Sequence, residues 1–283
     1  MNPARQIYHR SDSNHALAYR WLGILLPLIV TLFIGSSASA QTPFYTDDAD
    51  VTPKGHFHFE FSNEFDWLQR SALPSLRQNT ADFQLVYGLA KNLEVGIESP
   101  WLTISNEEGT IPLTPSGIGD TNFSAKYNFR QERENSRLPA MTIAFNIELP
   151  TGNVKRQLGS GLADYYANGI LQKSLSTKTK LRLNGGILFS GNETTGVIGI
   201  KTRGTVLTGG GSLVKQFNPK IQLGIELVGA LNKSLDLGKG QLQTLFGGNY
   251  QLRPNLSLDF GILGGKFAAS PRAGVKLGVS IDF

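Results

Sequence analysis

The sequence contains no cysteine, only four histidines and a charged fraction of 17%, which is below the quarter typical of soluble domains. The absence of cysteine excludes thiolate zinc sites, cysteine nucleophiles and a disulfide framework. Long apolar runs are scarce too, since residues 21–34 form the single one. A helical membrane protein with several spans is therefore excluded, because each span needs about 20 apolar residues.

The single apolar run has the features of a secretory signal peptide. Arg5, Arg10 and Arg20 precede it, and Ala-Ser-Ala follows at residues 38–40. A basic stretch, a short apolar segment and small residues at the end are typical of a segment that is removed on export. We therefore predict a signal peptide over residues 1–40 and an outer-membrane β-barrel over residues 41–283. A membrane anchor is the alternative, but the run is short for a span.

Removal of residues 1–40 takes away three arginines and one aspartate, so the formal net charge falls from +5 to +3. The bases of the mature chain form no stripe along one segment. Since nucleic acid binding depends on such a basic surface, we predict no nucleic acid partner.

Apolar residues recur at every second position after Gln41. The last segment is the clearest, because Val275, Leu277, Val279 and Ile281 alternate with polar or small residues. Successive side chains of a strand point to opposite faces, so such a segment has one apolar and one polar side. The alternation predicts twelve strands. Two glycine-rich strands, near 164–175 and 203–216, leave the direction of each face open.

The links between these strands alternate in length. Short links carry Asn, Pro or Thr-Lys turns, and the longer ones cover 66–79, 103–117, 150–163, 190–202, 232–240 and 265–270, with a charged link at 130–138 as the exception. Short turns at one end and long loops at the other are typical of outer-membrane barrels. We predict an all-β fold, a transmembrane antiparallel β-barrel of about twelve strands with short periplasmic turns, in the bacterial outer membrane. A soluble β-sandwich is the alternative.

Several short segments resemble one protein family. They are Thr-Asp-Asp-Ala-Asp at 46–50, Gly-Ile-Gly-Asp at 117–120, Leu-Pro-Thr-Gly-Asn at 149–153, and Leu-Gly-Ser-Gly at 158–161 followed by Asp164 and Tyr165. These segments resemble a family of bacterial outer-membrane β-barrel transporters associated with the meta-pathway of phenol degradation. The resemblance covers most of the mature chain. It implies a barrel that passes small compounds, aromatic ones among them, and it implies no catalytic residues.

The predicted inner face of the barrel is more acidic than basic. Phasing the strands gives the lumen-lining residues Glu60, Asp82, Glu94, Glu98, Lys126, Glu148, Asp164, Arg182, Glu226, Asp259 and Lys276, with Asp282 also inward. Nine acids against three bases favour cations in a narrow pore. Twelve strands about 4.8 Å apart give a backbone radius of roughly 12 Å. We therefore expect a narrow channel, or a barrel filled by its own side chains.

His56, His58 and Glu60 alternate at the start of the first strand. The two histidines are weak candidates for a zinc or copper site, but a third ligand on the same strand lies too far away. We therefore predict no metal and no cofactor. The predicted topology puts the start of the first strand, and so both histidines, near the periplasmic rim. A Ser-His hydrolase acting on outer-leaflet lipid needs its histidine at the extracellular rim, so we predict no catalytic residues and no enzyme.

Together these features predict an outer-membrane channel for passive diffusion of small solutes, including aromatic or hydrophobic compounds, that is mildly cation-selective. The alternatives are a non-conducting structural or adhesive barrel and an outer-membrane enzyme. The expected partners are outer-membrane lipid and lipopolysaccharide, the small solutes, and the barrel-assembly machinery, which would read the C-terminal strand ending in Phe283.

Overall fold

The computed structural model describes residues 42–72, 75–106, 114–134, 136–190, 204–231, 240–267 and 269–283. The predicted signal peptide lies outside the described residues. No helix in these ranges is long and apolar enough to cross a membrane.

The described chain forms thirteen strand segments that close into an antiparallel barrel. They are β1 (Phe57–Trp67), β2 (Ser75–Ala90), β3 (Leu93–Asn106), β4 (Ser116–Ile118), β5 (Thr121–Arg130), β6 (Ala140–Leu149), β7 (Asp164–Ser176), β8 (Thr179–Ser190), β9 (Gly204–Asn218), β10 (Ile221–Leu231), β11 (Gln241–Arg253), β12 (Leu256–Gly265) and β13 (Ala273–Asp282). Both β4 and β5 pair with β3, so they are two parts of one strand. The barrel therefore has twelve strands, and the predicted fold class is confirmed.

Strands β1 and β13 close the barrel. Their ladder runs from His58 opposite Asp282 to Trp67 opposite Ala273. Within the described ranges every strand except the short β4 pairs with a neighbour on both sides, as hydrocarbon requires, because an unpaired peptide group there costs several kcal/mol. The first and last strands are neighbours, as an up-and-down barrel requires.

The two faces of the wall differ in polarity. Large apolar side chains lie exposed on the outer face, among them Phe83, Trp101, Phe145, Ile225, Ile262 and Leu277. The structure also shows how the two glycine-rich strands face. Leu171 of β7 and Leu207 of β9 are exposed on the outer face, whereas Ile170 and Val214 are buried inside.

The two ends of the barrel differ in their links. One end holds the two-residue turns 91–92, 177–178, 219–220 and 254–255 and the link 131–139, and the other end holds all the longer loops. Since short turns lie on the periplasmic side of such barrels, we call the first end periplasmic. The loops are shorter than predicted at several places, because strands such as β2 and β3 extend beyond their apolar alternation.

The charged link 131–139 is fixed to the neighbouring strand β7. Glu132 forms an ion pair with Lys173 and accepts a hydrogen bond of 2.9 Å from the backbone N–H of Ser174. Burial alone raises the pKa of Glu132, but these hydrogen bonds outweigh burial and hold that pKa below its ordinary value. The link therefore lies along the wall although it is longer than a hairpin turn.

The extracellular loop 150–163 folds into the mouth of the barrel. Asp120, at the break between β4 and β5, accepts hydrogen bonds from the N–H groups of Gly152 and Ser160, each 2.8 Å long. A Cβ at Gly159 would lie 2.3 Å from Asp120 Oδ1, so the loop needs glycine there. Leu158 is 2% exposed and packs on the inward side chains of β3. The loop narrows the extracellular mouth.

Candidate functional site

Residues 42–56, which precede β1, lie inside the lumen, and we call them the plug segment. Thr42 contacts Ser280 near the periplasmic end of β13. The segment then rises to mid-lumen, where the hydroxyl of Thr46 donates a 2.7 Å hydrogen bond to Ser212. It returns towards the periplasmic end, where Gln172 donates to Asp50 at 3.0 Å, before β1 begins at Phe57. The segment before the first strand is thus a structural part of the lumen.

Lumen side chains bind the backbone of the rising half of the plug segment. The two carboxylate oxygens of Glu226 accept hydrogen bonds from the N–H groups of Tyr45 (3.0 Å) and Thr46 (2.5 Å). Asn184 accepts from the N–H of Asp47 at 2.7 Å and donates to its carbonyl oxygen at 2.9 Å. A buried peptide group needs such partners, and here side chains of the wall supply them.

The returning half of the plug segment is held in the same way. Asn128 and Thr142 both donate to the carbonyl oxygen of Ala49, at 2.6 and 2.7 Å. Glu94 accepts from the N–H of Thr52 at 2.5 Å. Ala49 is fully buried in a small apolar cluster that includes Ile170.

A buried ion cluster fastens the top of the plug segment to the wall. Lys126 Nζ lies 2.8 Å from Asp47 Oδ1, 3.4 Å from Asp48 Oδ1 and 3.5 Å from Glu94 Oε1. Arg182 Nη2 lies 3.3 Å from Asp48 Oδ2. Lys126 is 3% exposed and Arg182 4%. Buried charges need such partners, because an uncompensated one costs several kcal/mol.

Phe44 gives the plug segment its main apolar contact. It is 6% exposed and clusters with Val214, Leu245 and Leu263, which are inward residues of three strands. The ring lies so close to β10 that a Cβ at Gly224 would come within 2.7 Å of it. One apolar and one ionic contact therefore flank the backbone hydrogen bonds on the plug segment.

The plug segment separates two cavities. The one on the extracellular side, here the outer chamber, has a volume of about 520 Å³, and the one at the periplasmic end, here the inner basin, has about 1190 Å³. Tyr45 lies at the floor of the outer chamber, where its hydroxyl donates to Glu64 at 2.5 Å. Lys276 Nζ lies 4.5 Å from the centre of the Tyr45 ring and 3.7 Å from Glu64.

The two histidines considered for a metal site differ in their surroundings. His58 is 7% exposed, and its ring nitrogens contact Asp282 Oδ1 at 2.6 Å and Glu60 Oε1 at 2.8 Å. His56 is exposed and directly precedes β1, so it lies just outside the strand to which the alternation assigned it. No group of three metal-binding side chains occurs within the described ranges.

The residues predicted to line the lumen fall into four places. Glu94, Lys126, Arg182 and Glu226 contact the plug segment; Asp82, Glu98 and Lys276 line the outer chamber; Glu60 contacts His58, and Asp259 contacts Ser257 and Ser280; Glu148 and Asp164 face each other on β6 and β7. Their role in selectivity stays a prediction.

Two acids of the outer chamber, Glu64 and Asp66, are absent from the predicted set. Both share the inward face of β1 with Glu60, since residues two apart in a strand point the same way. Extending that alternation six residues beyond Glu60 would have found them. The plug contacts had no such signal, because the segment has no periodic pattern.

Comparison with known proteins identifies the family. Residues 40–283 match the family described as "Putative MetA-pathway of phenol degradation". The chain belongs to this family. No curated protein matches the sequence.

The family assignment agrees with solved structures. The crystal structure of an outer membrane channel from Pseudomonas putida F1 is similar with a TM-score of 0.64 at 16% identity, covering 87% of this chain and 100% of that one. The NanC porin has a TM-score of 0.54 at 9% identity, covering 80% and 98%, and the KdgM porin has 0.51 at 13%, covering 80% and 99%. Such identities show the fold alone. The predicted family and the bacterial outer-membrane location are confirmed.

Proposed function

We propose that the barrel is a channel for passive diffusion of small solutes, with the plug segment as its constriction. The observation that carries this proposal is the arrangement of the lumen, where an outer chamber and an inner basin meet at the plug segment. Support also comes from the similar structures, which are outer membrane channels and porins. Twelve strands enclose too narrow a lumen for a wide general porin.

The solutes that we propose are small molecules, including aromatic compounds. The family description, which refers to phenol degradation, supports this class. The walls of the outer chamber carry several amides and hydroxyls, such as Thr80, Asn146 and Asn168, which suit a polar group on the solute. The acids that line the outer chamber support a mild preference for cations over anions.

A non-conducting barrel is the second candidate. It is favoured by the hydrogen bonds and ion pairs that hold the plug segment across the lumen. We propose no catalytic role, since both ring nitrogens of the inward histidine, His58, contact carboxylates rather than a hydroxyl.

Conductance in a planar bilayer tests the proposal. Purified, folded protein should give a small ion current. Under a KCl gradient its reversal potential should be displaced slightly towards the equilibrium potential of K⁺. The chain lacks cysteine, so a variant with Tyr45→Cys, at the exposed floor of the outer chamber, offers a control. A thiol reagent should reduce the current of that variant and leave the unmodified chain unaffected. No current from folded protein would overturn the channel in favour of the non-conducting barrel.

A further inference from the structure

We propose that the lumen is electrically polarised along its axis, negative outside the plug segment and positive on its periplasmic side. The channel would then rectify ion current. It would also favour uncharged or zwitterionic solutes over both cations and anions. This inference rests on the proposed channel function, and it adds the class of solute and the direction of the field.

The outer chamber supplies the negative half. Six carboxylates and one ammonium group line it: Asp47, Glu60, Glu64, Asp66, Asp82 and Glu98 against Lys276. Asp47 is neutralised by Lys126 and Glu60 by His58. Within the described ranges no base lies within 4.0 Å of Asp66, Asp82 or Glu98.

Contacts among these acids do not remove the negative charge. The carboxyl of Asp66 lies within hydrogen-bonding reach of Glu64, and that of Glu98 within reach of Asp82. Even with one proton shared inside each pair, the two pairs carry two negative charges against the one positive charge of Lys276. The chamber stays negative.

The inner basin supplies the positive half. Five bases and three acids line it: Lys91, Arg133, Lys173, Lys178 and Lys180 against Asp50, Glu132 and Glu134. Lys173 pairs with Glu132 and Lys180 with Asp50. In the part of the chain that the structure describes, three bases of the basin are then set against the single acid Glu134.

The field of each cavity reaches across the lumen. The Debye length is about 10 Å at 0.1 M salt, which is close to the radius of a twelve-stranded barrel. Cations therefore gather in the outer chamber and anions in the inner basin. Each ion also meets one cavity of its own sign, whereas a solute without net charge meets no such barrier.

The two carrier populations make the direction of rectification definite. When the extracellular side is positive, the applied field drives cations from the outer chamber and anions from the inner basin towards the plug segment, so the lumen fills with carriers. The opposite voltage empties it. The current should therefore be larger with the extracellular side positive.

Current–voltage curves in a planar bilayer test this inference. In 0.1 M KCl we expect a current about twofold larger with the extracellular side positive, and near equality at 1 M, where the Debye length falls to about 3 Å. Orientation follows from a Thr177→Cys variant at the rim of the inner basin, whose current an impermeant thiol reagent should change from the periplasmic side only.

Two sets of substitutions separate the halves. Asp66→Asn with Asp82→Asn and Glu98→Gln should bring the current ratio towards one and move selectivity towards anions. Lys91→Gln with Arg133→Gln and Lys178→Gln should also bring the ratio towards one, but move selectivity towards cations. Arg253→Gln, at the periplasmic end of β11 and outside the lining of the basin, is the matched control and should leave the ratio unchanged.

The outcomes are distinct. Opposite selectivity shifts with loss of rectification in both sets support the polarised lumen, provided that each variant keeps the heat-sensitive gel mobility of a folded barrel. A symmetric current in the unmodified protein at 0.1 M KCl overturns the inference and leaves the channel standing. The absence of any current overturns the channel itself, and the polarised pore with it.

Discussion

Replacement of Lys126 by methionine should release the plug segment from the wall. The lysine is 3% exposed and is the shared partner of Asp47, Asp48 and Glu94, the farthest of which lies 3.5 Å away. Methionine keeps the length of the side chain and removes its charge. The variant leaves Asp47 without a base, whereas Asp48 retains Arg182.

The expected magnitude follows from burial. Removing one partner of a buried ion pair costs about 3–5 kcal/mol, and each 1.4 kcal/mol is tenfold in an equilibrium constant, so plug docking should weaken about a hundredfold or more. The backbone ladders of β5 with β3 and β6 do not depend on this side chain. The wall should therefore still fold while the plug segment leaves its site more often.

Thiol labelling measures this release. Thr46 is 1% exposed, so Thr46→Cys should react slowly with an impermeant maleimide in the otherwise unchanged chain and at least tenfold faster beside Lys126→Met. Lys180→Met is the matched control, because Lys180 contacts Asp50 at 3.4 Å with both side chains nearly half exposed. Such a pair contributes at most about 1 kcal/mol. Equal labelling rates in the two lysine variants would refute the reasoning.

Two further substitutions follow from the same contacts. Because Lys126→Met should release the plug segment, it should also raise the ion current in bilayer recordings. Cysteines at Thr46 and Ser212, whose hydroxyls lie 2.7 Å apart, should form a disulfide on oxidation that cancels this increase, and a reductant should restore it. Leu158→Ala should weaken the packing of the loop 150–163 on Leu102 and Ile104 by about 2–5 kcal/mol. A protease should therefore cleave the loop faster, while the melting temperature of the barrel should stay the same.

The outer wall could be predicted from the sequence because lipid imposes one pattern on it. Residues such as Leu277 and Val279 must alternate with inward groups, and a barrel in hydrocarbon must close, so the strand number followed from counting alternating segments. Short turns, such as 177–178, then oriented the barrel. This reasoning needs only local information, which is why it succeeded along almost the whole wall.

The plug segment could not be predicted, because its partners are distant in sequence. Thr42 and Ser280 are 238 residues apart, and the hydrogen bonds run from backbone groups to side chains of many strands. The same contacts explain why two strands left their facing open. Ile170 of β7 and Val214 of β9 are inward and apolar because Ala49 and Phe44 pack on them. Both faces of these strands therefore carry apolar residues, and the sequence shows no clear alternation there.

The acid surplus of the lumen has a different meaning once the plug segment is in place. Glu226 uses both carboxylate oxygens on plug N–H groups, and Glu94 uses one oxygen on Thr52 and the other near Lys126. These acids bind the backbone of the plug segment, so they are not available to attract permeating ions. Of the predicted lumen acids, Asp82 and Glu98 line the outer chamber, on one side of the constriction, where they can act on solutes. A charge count along the sequence therefore suggests a uniformly cation-attracting pore, whereas the positions of the charges argue for a pore with a direction.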